Sequence, residues 1–145
     1  MVPARANTIV IADDFAAFRS FVRSKLQENG FQNVAEASDG VEAVAKAAHQ
    51  HFDLVLLDIR MPNLDGIKAA AQIRTRSPKA KILFLSIFTD PDIVQSVMSD
   101  GAAGYLCKSK ISHQLVPAIE AALAGKKFVG LDGARDDREL LWRSP

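Results

Sequence analysis

The sequence predicts an α/β protein in which a doubly wound parallel sheet lies between two layers of helices. Short apolar segments alternate with longer segments whose apolar residues recur every three or four positions, the patterns of buried strands and amphipathic helices. Val55–Leu57 and Ile82–Leu85 are uninterrupted apolar runs, which are typical of strands covered by helices on both faces. This alternation favours parallel strands joined by right-handed crossovers.

The strands are predicted from segments that are short, apolar and partly β-branched, with polar residues or glycine at their ends. There are five of them: Thr8–Ala12, Val34–Ala37, Leu54–Leu57, Ile82–Ser86 and Gly104–Cys107. Five helices are predicted between and after these strands, and most show helical spacing of their apolar residues. The spaced residues are Phe15, Phe18, Val22 and Leu26, then Val41, Val44 and Ala48, then Ile93, Val97 and Met98, and lastly Leu115, Ile119, Ala122 and Leu123.

Local signals mark several helix ends. Asn29-Gly30 and Gly125 are typical helix stops, whereas Asp90-Pro91 and Ser112 are typical starts. A sheet of five βα units most simply takes the strand order 2-1-3-4-5, the flavodoxin-like three-layer sandwich. Ligands of such sheets bind beyond the carboxyl ends of the strands, near the switch between strands 1 and 3.

Acidic residues stand at this predicted switch. Asp13 and Asp14 follow strand 1 and Asp58 follows strand 3, so their side chains should converge, whereas Asp53 belongs to the opposite end of strand 3. Three carboxylates repel one another unless a cation neutralises them, and Mg²⁺ prefers a few oxygen ligands together with retained waters. We therefore expect Asp13, Asp14 and Asp58 to bind Mg²⁺ together.

A hydroxyl and an ammonium group are predicted at the same edge. Ser86 ends strand 4 and Lys108 follows strand 5. Acids, a metal, a hydroxyl and a lysine around the carboxylate of Asp58 are the components of a phosphoryl-transfer site.

The bulk composition excludes several classes of protein. The chain has 145 residues, a formal net charge of +1 and a single cysteine, Cys107. The charge provides no strong field that would select nucleic acid or an anionic membrane, and one cysteine cannot form an intrachain disulfide. The apolar runs are too short to span a bilayer, and the sequence MVPARAN has no signal-peptide core. We expect a soluble domain in the cytoplasm.

The sequence closely resembles the receiver domain of two-component response regulators over about residues 7–127. The resemblance depends on DD at 13–14, LLDIRMPNLDG at 56–66, LFLS at 83–86 and GAAGYLCKS at 101–109, in this order. The last motif, together with the following AGKKFV, is most similar to the NarL/LuxR-type subgroup. Residues 128–145 are then expected to be a C-terminal tail or linker, with no DNA-binding domain in this chain.

The resemblance implies a phosphorylation switch that regulates transcription through an effector domain or a partner. Asp58 would accept a phosphoryl group from a sensor histidine kinase, and the chain would catalyse only its own phosphorylation and dephosphorylation. Asp14, Asp58 and the backbone carbonyl of Arg60 would bind Mg²⁺ directly, and Asp13 would act mainly through water. The helix 4–strand 5–helix 5 face would then change, with a homodimer as one outcome.

Other roles are implied for residues around Asp58. Lys108 would pair with the phosphoryl oxygens, Ser86 would hydrogen-bond one of them, and Tyr105 would be the switch aromatic. Residues two positions after Asp58 and Ser86, which are Arg60 and Phe88, would tune phosphate lifetime.

Two residues depart from the family pattern. Ser109 replaces the usual proline after Lys108, and Ile87 replaces the usual small residue after Ser86. The first removes the easy route to a cis peptide bond, and the second could crowd access to Asp58.

Simpler structural roles remain open for some of these residues. Asp13 and Asp14 could only cap helix 1, and Tyr105 could only pack against a helix. Asp65 is best explained as the cap of helix 3. His49, His51 and His113 show no zinc-ligand spacing with Cys107 and are expected at the surface.

Three other functions are weighed against the switch. A phosphohydrolase with an aspartate nucleophile would need a second acid where Arg60 stands. An FMN-binding protein would need a glycine- or hydroxyl-rich turn where this chain has ADDFAA. A stand-alone receiver that acts by protein contact is compatible with the sequence, whereas the complete set of site residues disfavours a receiver that is never phosphorylated.

Overall fold

The computed structural model describes residues 2–87 and 90–130. Phe88 and the predicted tail residues Leu140, Leu141 and Trp142 lie outside the described residues. The described part of the chain divides into two compact units, which meet in sequence between Ala80 and Lys81.

The first unit has a central strand with a parallel neighbour on each side. Its elements are β1 (Arg5–Ala12), α1 (Ala16–Glu28), β2 (Phe31–Ala37), α2 (Gly40–His49), β3 (Leu54–Asp58) and α3 (Gly66–Arg76). Ile9 of β1 pairs with Val34 of β2 and with Leu54 of β3. β2 and β3 lie on opposite sides of β1, so the connection from β1 to β2 crosses the sheet in one direction and the connection from β2 to β3 crosses it in the other. Right-handed crossovers therefore put α1 and α2 on opposite faces of the sheet.

The second unit contains a further strand that the sequence did not predict. Its elements are β4 (Lys81–Ser86), α4 (Pro91–Ser99), β5 (Gly104–Cys107), a 3-10 turn (Lys108–Lys110), α5 (Ile111–Leu123) and β6 (Phe128–Gly130). Leu106 of β5 pairs with Leu85 of β4 and with Gly130 of β6. Residues 128–130 thus belong to the sheet, although the sequence placed them in the tail.

The strands form one parallel sheet in the order β2-β1-β3-β4-β5-β6. The predicted flavodoxin-like order of the first five strands is confirmed, and β6 extends it at the β5 edge. β3 is buried along its whole length, as its uninterrupted apolar run indicated. In the described parts of the chain, no helix has both the length and the apolar composition needed to cross a membrane.

The buried face of α2 differs from the one predicted. Val41 is 54% exposed, and the buried positions are instead Gly40, Ala43 and Ala47. These small residues bring α2 close to α3, and a Cβ at Gly40 would overlap the backbone carbonyl of Leu64. Close approach of the two backbones, and not side-chain hydrophobicity, therefore decides which face of α2 is buried.

The prediction for Phe15 is also wrong. The helical spacing predicted that it lies on the buried face of helix 1, but its side chain is 65% exposed and it precedes the helix. The buried face of α1 consists of Val22 and Leu26. Since the chain is still turning out of β1 at Phe15, the helical period does not yet apply there.

The starts of α4 and α5 lie at or next to the residues predicted from the sequence. The Asp90 side chain accepts a hydrogen bond from the Asp92 amide at 2.8 Å and caps α4, as expected from its position before proline. α5 begins at Ile111, one residue before the predicted start. Among the apolar side chains of α4, Val94, Val97 and Met98 are buried and Ile93 is partly exposed.

Candidate metal and phosphoacceptor site

Three acidic side chains meet at the carboxyl edge of the first unit. Asp13, Asp14 and Asp58 each offer a carboxylate oxygen, and these oxygens lie within 4.8 Å of one another. Asp13 and Asp58 are buried, with 0% and 7% of their surfaces exposed, whereas Asp14 is exposed. The convergence predicted from the sequence therefore occurs for these three residues.

The register of the sheet explains why the acids meet. Ala12 is the last residue of β1 and pairs with Leu57 of β3. Asp13 follows Ala12 directly and Asp58, the last residue of β3, follows Leu57, so the two acids stand side by side where the strands end. Neighbouring parallel strands end at the same edge, which makes this juxtaposition a consequence of strand register.

The loop from β1 to α1 is held at Asp13 by hydrogen bonds on both of its backbone groups. The Asp13 amide donates to the Ala37 carbonyl at 3.1 Å, and the Asp13 carbonyl accepts from Arg19 Nη1 at 2.6 Å. Asp13 Oδ1 also accepts from the Phe15 amide at 2.8 Å. The alternative that these acids only cap helix 1 is wrong, because α1 begins at Ala16 with Phe15 as its N-cap and without a side-chain cap. The hydrogen bond of Asp13 orders the turn before the helix, while Asp14 is exposed.

The loop from β3 to α3 is equally constrained. The Gly66 amide donates to the Ile59 carbonyl at 2.7 Å, and Asp65 accepts from the Lys68 amide at 2.9 Å, which confirms the predicted cap of α3. Asn63 has a positive φ of 69° and donates through Nδ2 to Asp39 Oδ2 at 2.6 Å. This contact was not predicted from the sequence, although Asp39 before Gly40 is itself a helix-start signal.

The donor set fits a hard divalent cation. Oxygen ligands on opposite sides of an octahedral Mg²⁺ lie about 4.2 Å apart, because each Mg–O distance is about 2.1 Å. A set of carboxylate oxygens within 4.8 Å is close to this span and can bind the ion directly or through a retained water. Two of the three acids are buried, so their mutual repulsion favours a cation.

The predicted residues of the second unit also lie at strand ends. Ser86 is 1% exposed and pairs with Cys107, so Lys108 immediately follows the position that faces Ser86. Lys108 is half-buried at the start of the 3-10 turn. Tyr105 lies in β5 and is completely buried. The roles inferred for these residues from the resemblance remain predictions.

Ser109 and Ile87, the two residues that depart from the family pattern, are both described by the structure. The structure contains no cis peptide bond in its described residues, so Lys108-Ser109 is trans. Ser109 Oγ instead lies 3.1 Å from Cys107 Sγ. Ile87 is 68% exposed.

Asp53 and the three histidines, which the sequence excluded from the site, can also be located. Asp53 immediately precedes β3, at the end of that strand opposite Asp58, and accepts a hydrogen bond from the Thr8 amide at 2.8 Å. His49, His51 and His113 are exposed, as predicted.

The sequence around this site matches a known protein family. The family described as response regulator receiver domain matches residues 9–120, which include all the predicted site residues. The chain belongs to the response regulator receiver family. The receiver's acidic cluster, Ser86 and Lys108 therefore stand within the matched region.

Curated relatives of this receiver are regulators of transcription by name. It is 38% identical over 133 residues to the transcriptional regulatory protein PdtaR of Mycobacterium tuberculosis, covering 91% of this chain and 63% of PdtaR. It is 36% identical over 122 residues to the transcriptional regulatory protein DegU of Brevibacillus brevis, covering 83% of this chain and 52% of DegU. The receiver thus spans somewhat more than half the length of these relatives.

A solved structure supports the subgroup resemblance. The receiver is similar to a two-component response regulator of the LuxR family from Aurantimonas sp. SI85-9A1, with a TM-score of 0.79 and 32% identity. This match covers 86% of the receiver and 89% of the other chain. Membership of the receiver family, and with it a role in phosphorylation-dependent signalling, follows from these comparisons.

Proposed function

We propose that this receiver is a switch in which Asp58 is the phosphoacceptor and the acidic cluster binds Mg²⁺. The observation that carries the proposal is the convergence of three carboxylates at one edge of the sheet, two of them buried. Burying like charges together is unfavourable unless a cation is bound, and Asp58 ends β3 of a chain that belongs to the response regulator receiver family.

The chemistry is a transfer between two nucleophiles. A carboxylate oxygen of Asp58 attacks the phosphorus of a phosphohistidine on a sensor kinase, a new O–P bond forms, and the P–N bond breaks with its electron pair returning to the imidazole. Mg²⁺, when bound, supplies positive charge that neutralises the phosphoryl oxygens. Asp14 and Asp58 would be its direct ligands together with the Arg60 carbonyl, and Asp13 would act mainly through water.

Lys108 and Ser86 serve the phosphorylated state in this proposal. The Lys108 ammonium would pair with a phosphoryl oxygen, and the Ser86 hydroxyl would hydrogen-bond another. Their positions at the ends of adjacent strands β4 and β5 support these roles. Movement of Ser86 and a rotamer change of the buried Tyr105 would then alter the α4–β5–α5 face, to which an effector domain, a partner or a second copy of the chain would bind. We place this switch in the cytoplasm, where sensor kinases present their phosphohistidine.

The decisive experiment is intact-mass analysis after incubation with acetyl phosphate and Mg²⁺. We expect one added phosphoryl group, lost in Asp58→Asn and in the presence of EDTA. Asp53→Asn is the matched control, because Asp53 is also an aspartate next to β3 but stands at the end of that strand opposite Asp58. Equal labelling of Asp58→Asn would refute the assignment.

Turnover of a generic phosphate ester separates the switch from a phosphohydrolase. We expect no sustained turnover, since Arg60 occupies the position where such an enzyme needs its second acid. Multiple turnovers that depend on Asp58 would contradict the proposal.

A further inference from the structure

Arg19 of α1 contacts the acidic loop and a strand of the sheet at the same time. Its Nη1 donates to the backbone carbonyl of Asp13 at 2.6 Å, and its Nε donates to Glu36 Oε1 of β2 at 3.1 Å. The Arg19 side chain is only 17% exposed. Two donors of one planar guanidinium thus connect the β1–α1 loop with β2.

Glu36 anchors the guanidinium from the sheet side. Its other carboxylate oxygen accepts from Arg23 Nη1 at 2.7 Å, and its backbone carbonyl accepts from Lys46. Burial raises the pKa of Glu36, but the hydrogen bonds from Arg23 and Arg19 outweigh this effect and leave the pKa below its ordinary value. Glu36 is therefore ionised at neutral pH and presents a fixed negative partner to Arg19.

The Asp13 carbonyl belongs to the peptide group that joins Asp13 to Asp14. A peptide group is planar, so a hydrogen bond that fixes this oxygen also fixes the nitrogen and Cα of Asp14. Asp14 is the exposed member of the cluster and precedes α1, so its backbone depends on contacts of this kind. The Asp13 carbonyl thus has a hydrogen-bond donor from the protein itself, the guanidinium of Arg19.

We propose that Arg19 is a positioning residue that holds Asp14 towards Asp58 through the Asp13 carbonyl, and so sets the affinity of the acidic cluster for Mg²⁺. The part that concerns Mg²⁺ rests on the proposed function. Bridging needs two donors in a fixed fork, which a lysine cannot provide.

The test compares Mg²⁺ affinity, by calorimetry, in Arg19→Ala, Arg19→Lys and wild type. Loss of a residue that orients a metal ligand lowers metal affinity about tenfold or more. We expect that loss in Arg19→Ala and no full recovery in Arg19→Lys, which keeps the charge but not the bridge.

Arg23→Ala is the matched control, because Arg23 shares Glu36 with Arg19 but donates to the other carboxylate oxygen of Glu36 and not to the loop carbonyl of Asp13. We expect this variant to bind Mg²⁺ as wild type does. If Arg23→Ala weakens binding as much as Arg19→Ala, the network acts through general stability or charge and the proposal is overturned. Wild-type affinity in Arg19→Ala overturns it as well.

A second measurement does not depend on metal. Amide hydrogen exchange of Asp14 and Phe15 in the metal-free protein should be faster in Arg19→Ala than in wild type or Arg23→Ala. Unchanged exchange would overturn the positioning role. Failure of the wild type to bind Mg²⁺ would instead refute the proposed metal site, while the exchange measurement would still decide whether Arg19 orders the loop.

Discussion

Gly66 packs directly against the backbone carbonyl oxygen of Asp58. A Cβ at residue 66 would overlap this oxygen and would also lie 3.0 Å from the Cα of Ile59. The start of α3 therefore touches the strand end that carries the proposed phosphoacceptor, and only glycine fits between them.

Gly66→Ala should destabilise the protein by about 3 kcal/mol, because backbone must move to relieve the overlap. It should also weaken Mg²⁺ binding by displacing Asp58. Urea unfolding and Mg²⁺ titration measure the two effects. Gly125→Ala is the control, since a Cβ there meets open space but strains a positive φ of 78°. Its cost should be about 1–2 kcal/mol, with Mg²⁺ affinity unchanged.

Asp14→Asn should lower Mg²⁺ affinity by about tenfold or more, equivalent to at least about 1.4 kcal/mol. Asp13→Asn should have a smaller effect, because Asp13 Oδ1 already accepts from the Phe15 amide. NMR titration provides both affinities. Asp65→Asn keeps a competent helix cap outside the cluster and should bind Mg²⁺ normally. Unchanged affinity in Asp14→Asn would count against the ligand assignment.

Ser86→Ala should still accept phosphate but transmit it poorly, whereas Lys108→Ala should transmit it poorly or accept it slowly. The reason is that Asp58 performs the covalent step and the other two residues respond to its product. Amide shifts around Tyr105 on phosphorylation report the response. Ser112→Ala, at an exposed serine of α5, is the control. Shifts like those of wild type in both variants would argue against the switch.

The α4–β5–α5 face should change on phosphorylation. Since Val94, Val97 and Met98 are buried and Ile93 is only partly exposed, the regulated contact needs a rearrangement rather than an existing apolar patch. Hydrogen exchange with and without beryllofluoride should show altered protection there. Changes confined to α1 and α2 would contradict this output face, and changes in α1 and α5 together would favour the competing dimer surface.

Asp53→Asn should destabilise the protein at neutral pH by about 0.5–1 kcal/mol, allowing for solvent screening of a partly exposed group. The hydrogen bond from the Thr8 amide lowers the pKa of Asp53 below 3.8. A lowered pKa contributes stability that is complete above 3.8 and is lost as pH falls through the folded-state value. Urea unfolding of variant and wild type should therefore converge in acid. Asp100→Asn, at another surface aspartate, is the control, and a gap independent of pH would contradict the explanation.

The sequence by itself determined the strand order and the convergence of Asp13, Asp14 and Asp58. These features follow from local patterns: apolar runs of strand length, and acids placed directly after them. Once parallel strands are aligned, residues that follow them must meet at one edge. The caps at Asp65 and Asp90 could be predicted for the same reason, because a cap acts on amides within three residues.

Only the tertiary structure decided which surfaces are buried and which side chains hold the loops. The buried face of α2 depends on how closely Gly40 approaches Leu64, and β6 forms because residues 128–130 meet the open edge of β5. The bridge from Arg19 to Asp13 and Glu36 joins three separate elements. Such contacts depend on packing between segments distant in sequence, so hydropathy and spacing along the chain carry no signal for them.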